Sequence, residues 1–126
     1  MVQGIEHTAI ASPDPERLAR WYVEQLGFRI NYQSKNSRTV FVKAGDGSLI
    51  EIIEAAGAAA NAPELNAPGL RHLALTVADF DAACDRLKQA GIAFLSEPQK
   101  GRNSIAFFRD PDGNILHLLH REEPLP

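Results

Sequence analysis

The chain carries one pattern twice, and this internal repeat limits its fold more than any other feature, because a duplicated unit must build a duplicated architecture. Residues 4–11 read Gly-Ile-Glu-His-Thr-Ala-Ile-Ala and residues 69–76 read Gly-Leu-Arg-His-Leu-Ala-Leu-Thr. Both place a glycine three positions before a histidine and an alanine two positions after it. A helical stretch follows each, then a glycine that opens an apolar strand, Gly27-Phe28-Arg29-Ile30 in one half and Gly91-Ile92-Ala93-Phe94 in the other. Each half closes on an Asp-Gly turn and a strongly apolar strand, after Asp46-Gly47 and after Asp112-Gly113. The register agrees too: His7 and Glu51 are 44 residues apart, His72 and His117 are 45.

Each half therefore reads strand, helix, three strands, and the expected class is α+β. The first module is assigned to residues 1–57 and the second to 69–121. Residues 58–68 join them, rich in alanine, proline and asparagine without amphipathic period; this is a linker, or a short helical turn given the helix propensity of alanine. Asp14 is placed to cap the first helix with Pro15 in its first turn and Gly27 as its stop, and Asp79 and Gly91 do the same for the second. Trp21, Tyr22 and Cys84 fall on apolar helix faces and are read as core. A half of about 55 residues buries too little apolar surface to be reliably stable alone. The two halves of one 126-residue domain, or two copies of the chain in a homodimer, are expected to share a curved mixed sheet with the helices outside.

Strand alternation then separates the side chains. Ile10, Ile50, Ile52, Leu73, Leu75, Leu116 and Leu118 fall on helix-facing sides. The opposite sides carry His7, Glu51, His72 and His117, one on the first and one on the last strand of each half. A glutamate flanked by Leu49, Ile50, Ile52 and Ile53 is costly to bury without a partner. A purely structural polar cluster would satisfy it, yet four such residues in one repeat frame are better explained as a metal site. Imidazole with carboxylate suits a divalent transition ion: Fe, Mn, Ni, Co or Zn.

These residues bring a family into view. The duplicated module with a ligand-type residue on its first and last strands resembles the vicinal oxygen chelate superfamily of glyoxalase I, bleomycin-resistance proteins and extradiol dioxygenases. The likeness spans about residues 3–121. It is carried by Trp21-Tyr22-Val23-Glu24-Gln25-Leu26-Gly27-Phe28, similar to the family's helix end, and by Asp110-Pro111-Asp112-Gly113-Asn114, similar to its turn. The resemblance implies a cup-shaped sheet holding a metal at His7, Glu51, His72 and His117, where a small substrate chelates through two adjacent oxygens. The chain departs from the glyoxalase I pattern at the last position, which is His117 where those enzymes have glutamate.

The activity so implied is a metal-dependent lyase or isomerase, with Glu51 as ligand and base in turn and His117 as a second candidate base. A non-haem Fe(II) dioxygenase is the alternative chemistry, and a non-catalytic drug- or metabolite-binding protein of the bleomycin-resistance type is the alternative without chemistry. Arg102 and Asn103, in the stretch where related enzymes place substrate contacts, and Arg38, beside a strand, are the substrate-binding candidates. His120 lies three places beyond His117 and points to the other face. Asp110 and Asp112 are read as turn-shaping residues.

Composition closes off other classes. A net charge of −3, from 13 basic and 16 acidic residues, offers no basic stripe for nucleic acid. One cysteine excludes an intrachain disulfide framework and fits a reducing cytoplasm. No apolar run spans a bilayer, and the N-terminus does not read as a signal peptide.

Overall fold

The structure is a computed structural model that describes residues 1–57 and 64–126. The element order is β1 (His7–Ser12), α1 (Pro15–Leu26), β2 (Arg29–Gln33), β3 (Val40–Lys43), β4 (Leu49–Glu54), β5 (His72–Thr76), α2 (Phe80–Gln89), β6 (Asn103–Arg109) and β7 (Ile115–Arg121). The chain forms two compact units, Met1–Asn61 and Ala62–Pro126. Most of the expected joining segment, residues 58–63 of 58–68, lies outside the described residues. Among the described residues no helix is long and apolar enough to cross a membrane.

In the first unit the sheet order is β1-β4-β3-β2, with β1 and β4 parallel and the other pairs antiparallel. The parallel pair requires the long β1-to-β4 connection that α1 and the β2–β3 hairpin supply. Asp14 caps α1 by accepting from the Arg17 backbone N–H at 3.3 Å, and Gly27 ends it in the left-handed region at φ 76°, which costs glycine nothing. Leu18, Ala19 and Tyr22 form the buried stripe of α1, and Ile10, Val40, Val42, Ile50 and Ile52 bury the sheet face beneath it. Trp21 is only half-buried and stands edge-on to Tyr22 at 5.3 Å.

In the second unit the order is β5-β7-β6, with β5 and β7 parallel and β6 and β7 antiparallel. Asp79 caps α2 through the Ala82 N–H at 2.9 Å, and Phe80, Cys84 and Leu87 face the core. Burial raises the Cys84 thiol above its ordinary pKa, which makes it a poor nucleophile, as its apolar helix face implied. Ala106, Phe108, Leu116 and Leu118 complete this core. The strand expected from Gly91 is not formed. The segment touches β6 only through isolated bridges, Phe94 to Phe108 and Gln99 to Ile105. From the first bridge to the second the segment advances five residues, Phe94 to Gln99, while β6 advances three, Phe108 to Ile105, so the two bridges are out of register and no continuous ladder forms.

The β6–β7 turn is built on Asp110, which is 4% exposed. Its carboxylate accepts from the backbone N–H groups of Asp112 (3.0 Å) and Asn114 (2.9 Å) and from the Asn114 side-chain amide (2.8 Å). Gly113 takes φ 88°, and Arg109 donates to its carbonyl at 2.8 Å. Asp46 plays the same part in the first unit, accepting from the Ser48 N–H at 2.9 Å and the Ser48 hydroxyl at 2.6 Å. Replacing Asp110 by alanine strips three donors of their acceptor. A loss of about 1–3 kcal/mol is expected, read as a lower urea midpoint at unchanged m-value.

Candidate functional site

The ligand-type residues are carried by the less buried face of each sheet. In the first unit the register aligns Ala9, Glu51, Phe41 and Tyr32 in one row across β1, β4, β3 and β2. Parallel pairing of β1 with β4 sets His7 opposite Leu49, two residues before that row and on the same face, and its ring reaches Glu51: Nε2 is 3.2 Å from Oε2. The other ring nitrogen, Nδ1, is held by the Glu6 carboxylate. That contact is the largest influence raising the His7 pKa, and the negative charges of Glu6 and Glu51 add to it against a desolvation that lowers it.

The second unit repeats the row as Ala74, His117 and Phe107. The His72 and His117 rings lie 4.7 Å apart, centroid to centroid, at 64°. His117 is 6% exposed, and burial lowers its pKa, so it is neutral at pH 7. Its Nδ1 is 3.2 Å from the Leu118 carbonyl, which assigns the proton to that nitrogen.

Imidazole and carboxylate are ligand types that suit a divalent transition ion. Metal-binding histidines use one ring nitrogen while the other donates to a carboxylate or carbonyl. His7 has Glu6 and His117 has the Leu118 carbonyl in that role; the His7 Nε2 is in contact with Glu51. Among the described residues, no group of three or more His, Cys, Asp or Glu side chains that could hold a metal ion is assembled. The four ligand-type residues stand as two pairs, one in each unit.

The remaining candidates are engaged elsewhere. Arg38 is clamped at the start of α1: it bonds Glu16 at 2.6 Å and Asp14 at 3.0 Å, and lies 3.8 Å from Glu54. Arg102 is exposed, 3.6 Å from Glu123, and its carbonyl accepts from the Glu122 N–H. Asn103 accepts from the Arg121 guanidinium at 3.0 Å. Arg38 and Asn103 are thus bonded within their own units, while the Arg102 guanidinium stands in solvent. His120 is turned away from the ligand face, with Nδ1 3.1 Å from the Val77 carbonyl, and lines a cavity of about 520 Å³ with Thr76, Leu119, Arg121 and Leu125.

Sequence reasoning passed over Glu6, which precedes His7, and the phenylalanines Phe41 and Phe107. The repeat frame contains both phenylalanines, ten positions before Glu51 and ten before His117.

A duplicated unit of this kind, with ligand-type residues on its first and last strands, is the signature of one protein class. The chain belongs to the glyoxalase/bleomycin resistance protein/dioxygenase superfamily, whose model matches residues 4–118. It is 30% identical to a probable lactoylglutathione lyase of Vibrio cholerae, over 94% of this chain and 91% of that one. A glyoxalase/bleomycin resistance protein/dioxygenase domain from Frankia sp. superposes with a TM-score of 0.77 at 28% identity, covering 98% of this chain and 96% of the other. An antibiotic-binding protein from Streptomyces sp. superposes with a TM-score of 0.70 at 25% identity, covering 93% and 94%.

Proposed function

We propose that the chain is a divalent-metal-dependent lyase or isomerase of the glyoxalase type, acting on a small substrate with vicinal oxygens. The observation that carries this reading is the His7–Glu51 contact at 3.2 Å, with the His7 Nδ1 held by Glu6. The His72–His117 pair occupies the equivalent positions of the second unit. The lactoylglutathione lyase relatives support the reaction class. His7, Glu51, His72 and His117 would hold the ion, which when bound supplies Lewis-acid stabilisation of negative charge developing on the substrate oxygens.

The chain's own residues then move the proton. Glu51 accepts it from the hydroxyl-bearing carbon beside the carbonyl and returns it to the former carbonyl carbon, while the hydroxyl proton passes to the former carbonyl oxygen, so that atoms and charge balance without a redox partner. Before the ion binds, the His7 Nε2 contacts the Glu51 carboxylate, and both groups would turn to the ion when it is bound. His117 is the second candidate base, an alternative to its ligating role, because both would use Nε2. In the same reading the protein works as a cytoplasmic homodimer, in keeping with its single buried thiol.

The test is to measure bound metal and the conversion of the methylglyoxal–glutathione hemithioacetal after loading the purified protein with Ni, Co, Mn or Zn. Turnover that requires the metal is the expected result. The similarity to an antibiotic-binding protein supports a second reading, sequestration without turnover. Thermal stabilisation by a drug or metabolite, with no metal bound and no product formed, would decide for it.

A further inference from the structure

The two phenylalanines absent from the ligand set occupy the same place in both units. Phe41 pairs directly with Glu51 across the β3–β4 ladder, and Phe107 pairs with His117 across β6–β7. Each stands edge-on to the histidine of its unit's first strand: Phe41 to His7 at 5.6 Å and 77°, Phe107 to His72 at 5.6 Å and 87°. Phe107 also touches the His117 ring at 4.8 Å. Neither ring belongs to the buried core, which is filled by their neighbours Val40, Val42, Ala106 and Phe108 on the opposite face. Two half-buried aromatic rings on a face otherwise marked by imidazole and carboxylate, at matching distances, call for a common role.

We propose that Phe41 and Phe107 are paired positioning residues that fix the ring planes of His7 and of His72 and His117. The inference rests on the metal-site reading above. The terminal torsion of histidine is broad and roughly two-fold, so in-plane contacts to the ring nitrogens, with Glu6 and Glu51 at His7 and with the Leu118 carbonyl at His117, leave the ring free to rock about them. His72 sits edge-on to Phe107 and against His117, and these ring contacts confine it. An edge-to-face aromatic neighbour closes off that rocking and aims Nε2 before a ligand arrives. Preorganising a donor in this way acts on affinity as outer partners of metal ligands do, by about 10- to 100-fold when they are lost.

The test compares Phe41→Leu and Phe107→Leu, which keep apolar bulk and remove the ring, with Phe41→Tyr and Phe107→Tyr, which restore it. In the full chain without metal, ¹³C relaxation of the imidazole carbons reads ring order. Phe41→Leu is expected to loosen His7 alone, and Phe107→Leu to loosen His72 and His117 alone, with both tyrosine variants returning to the original order. Cobalt(II) titration is expected to show about tenfold weaker binding in each leucine variant and recovery in the tyrosine variants. Leucine variants that bind cobalt as tightly as the unaltered chain would overturn the proposal. If the unaltered chain takes up no cobalt, the metal-site reading fails by itself. Ring order then decides the positioning role, unchanged order in the leucine variants refuting it and selective loosening upholding it.

Discussion

Replacing His7 or Glu51 by alanine is expected to abolish metal uptake and turnover together, the largest functional loss any single substitution should cause. Outer partners of metal ligands alone account for about 10- to 100-fold in affinity, so removing a ligand should weaken binding by more than about 100-fold. Equilibrium dialysis against Ni(II) or Co(II) would measure it. The pH dependence carries a sign that this geometry sets. The Glu6 carboxylate raises the His7 pKa, so a proton competes for Nε2 up to a higher pH than at an ordinary imidazole. Metal affinity should therefore fall with decreasing pH from above the usual histidine range. Glu6→Gln, which removes the charge while leaving a hydrogen-bonding group, should move that fall to lower pH. Affinity that is flat from pH 8 to pH 6 would contradict the role given to His7.

The largest loss of stability is expected at Phe108→Ala. Phe108 is fully buried in β6, paired with Leu116 across the ladder and bridged to Phe94. Truncating a buried phenylalanine typically costs about 3–5 kcal/mol. Domains of this size hold about 5–15 kcal/mol in all, so a large part of the total would go. Urea unfolding followed by circular dichroism would show it as a midpoint shift. Phe107, one residue earlier, points to the other face, and its leucine variant should unfold close to the parent. That contrast between adjacent phenylalanines separates packing from positioning within one strand.

Counting along the repeat was enough to place His7 with Glu51 and His72 with His117, because parallel pairing of the first and last strands brings the same offsets together in each unit. The caps at Asp14 and Asp79 and the turn at Asp110 were equally legible, since each depends on a side chain reaching a backbone N–H two to four residues away. Phe41 and Phe107 escaped notice for a physical reason. In Val40-Phe41-Val42 and Ala106-Phe107-Phe108 every residue is apolar, so composition does not reveal which face each one takes. The surroundings of Arg38 were hidden for another reason. Its partners Asp14, Glu16 and Glu54 are 16 to 24 residues distant in sequence, and only the fold shows that its donors are already engaged. The strand expected after Gly91 was lost to a register offset between the Phe94–Phe108 and Gln99–Ile105 bridges, which depends on the partner strand and not on local composition.

The strand orders have a practical consequence. Within their sheets β1 and β5 each have a hydrogen-bonded neighbour on one side only. Natural edge strands are commonly guarded by lysine, proline or a bulge. His-Thr-Ala-Ile-Ala-Ser and His-Leu-Ala-Leu-Thr contain neither lysine nor proline, and their ladders run without a register shift. Either unit made as a separate fragment carries such an edge with nothing of its own to blunt it, and should self-associate as it is concentrated. Attempts to dissect this protein, or to graft one half onto another scaffold, would have to begin by rewriting that strand.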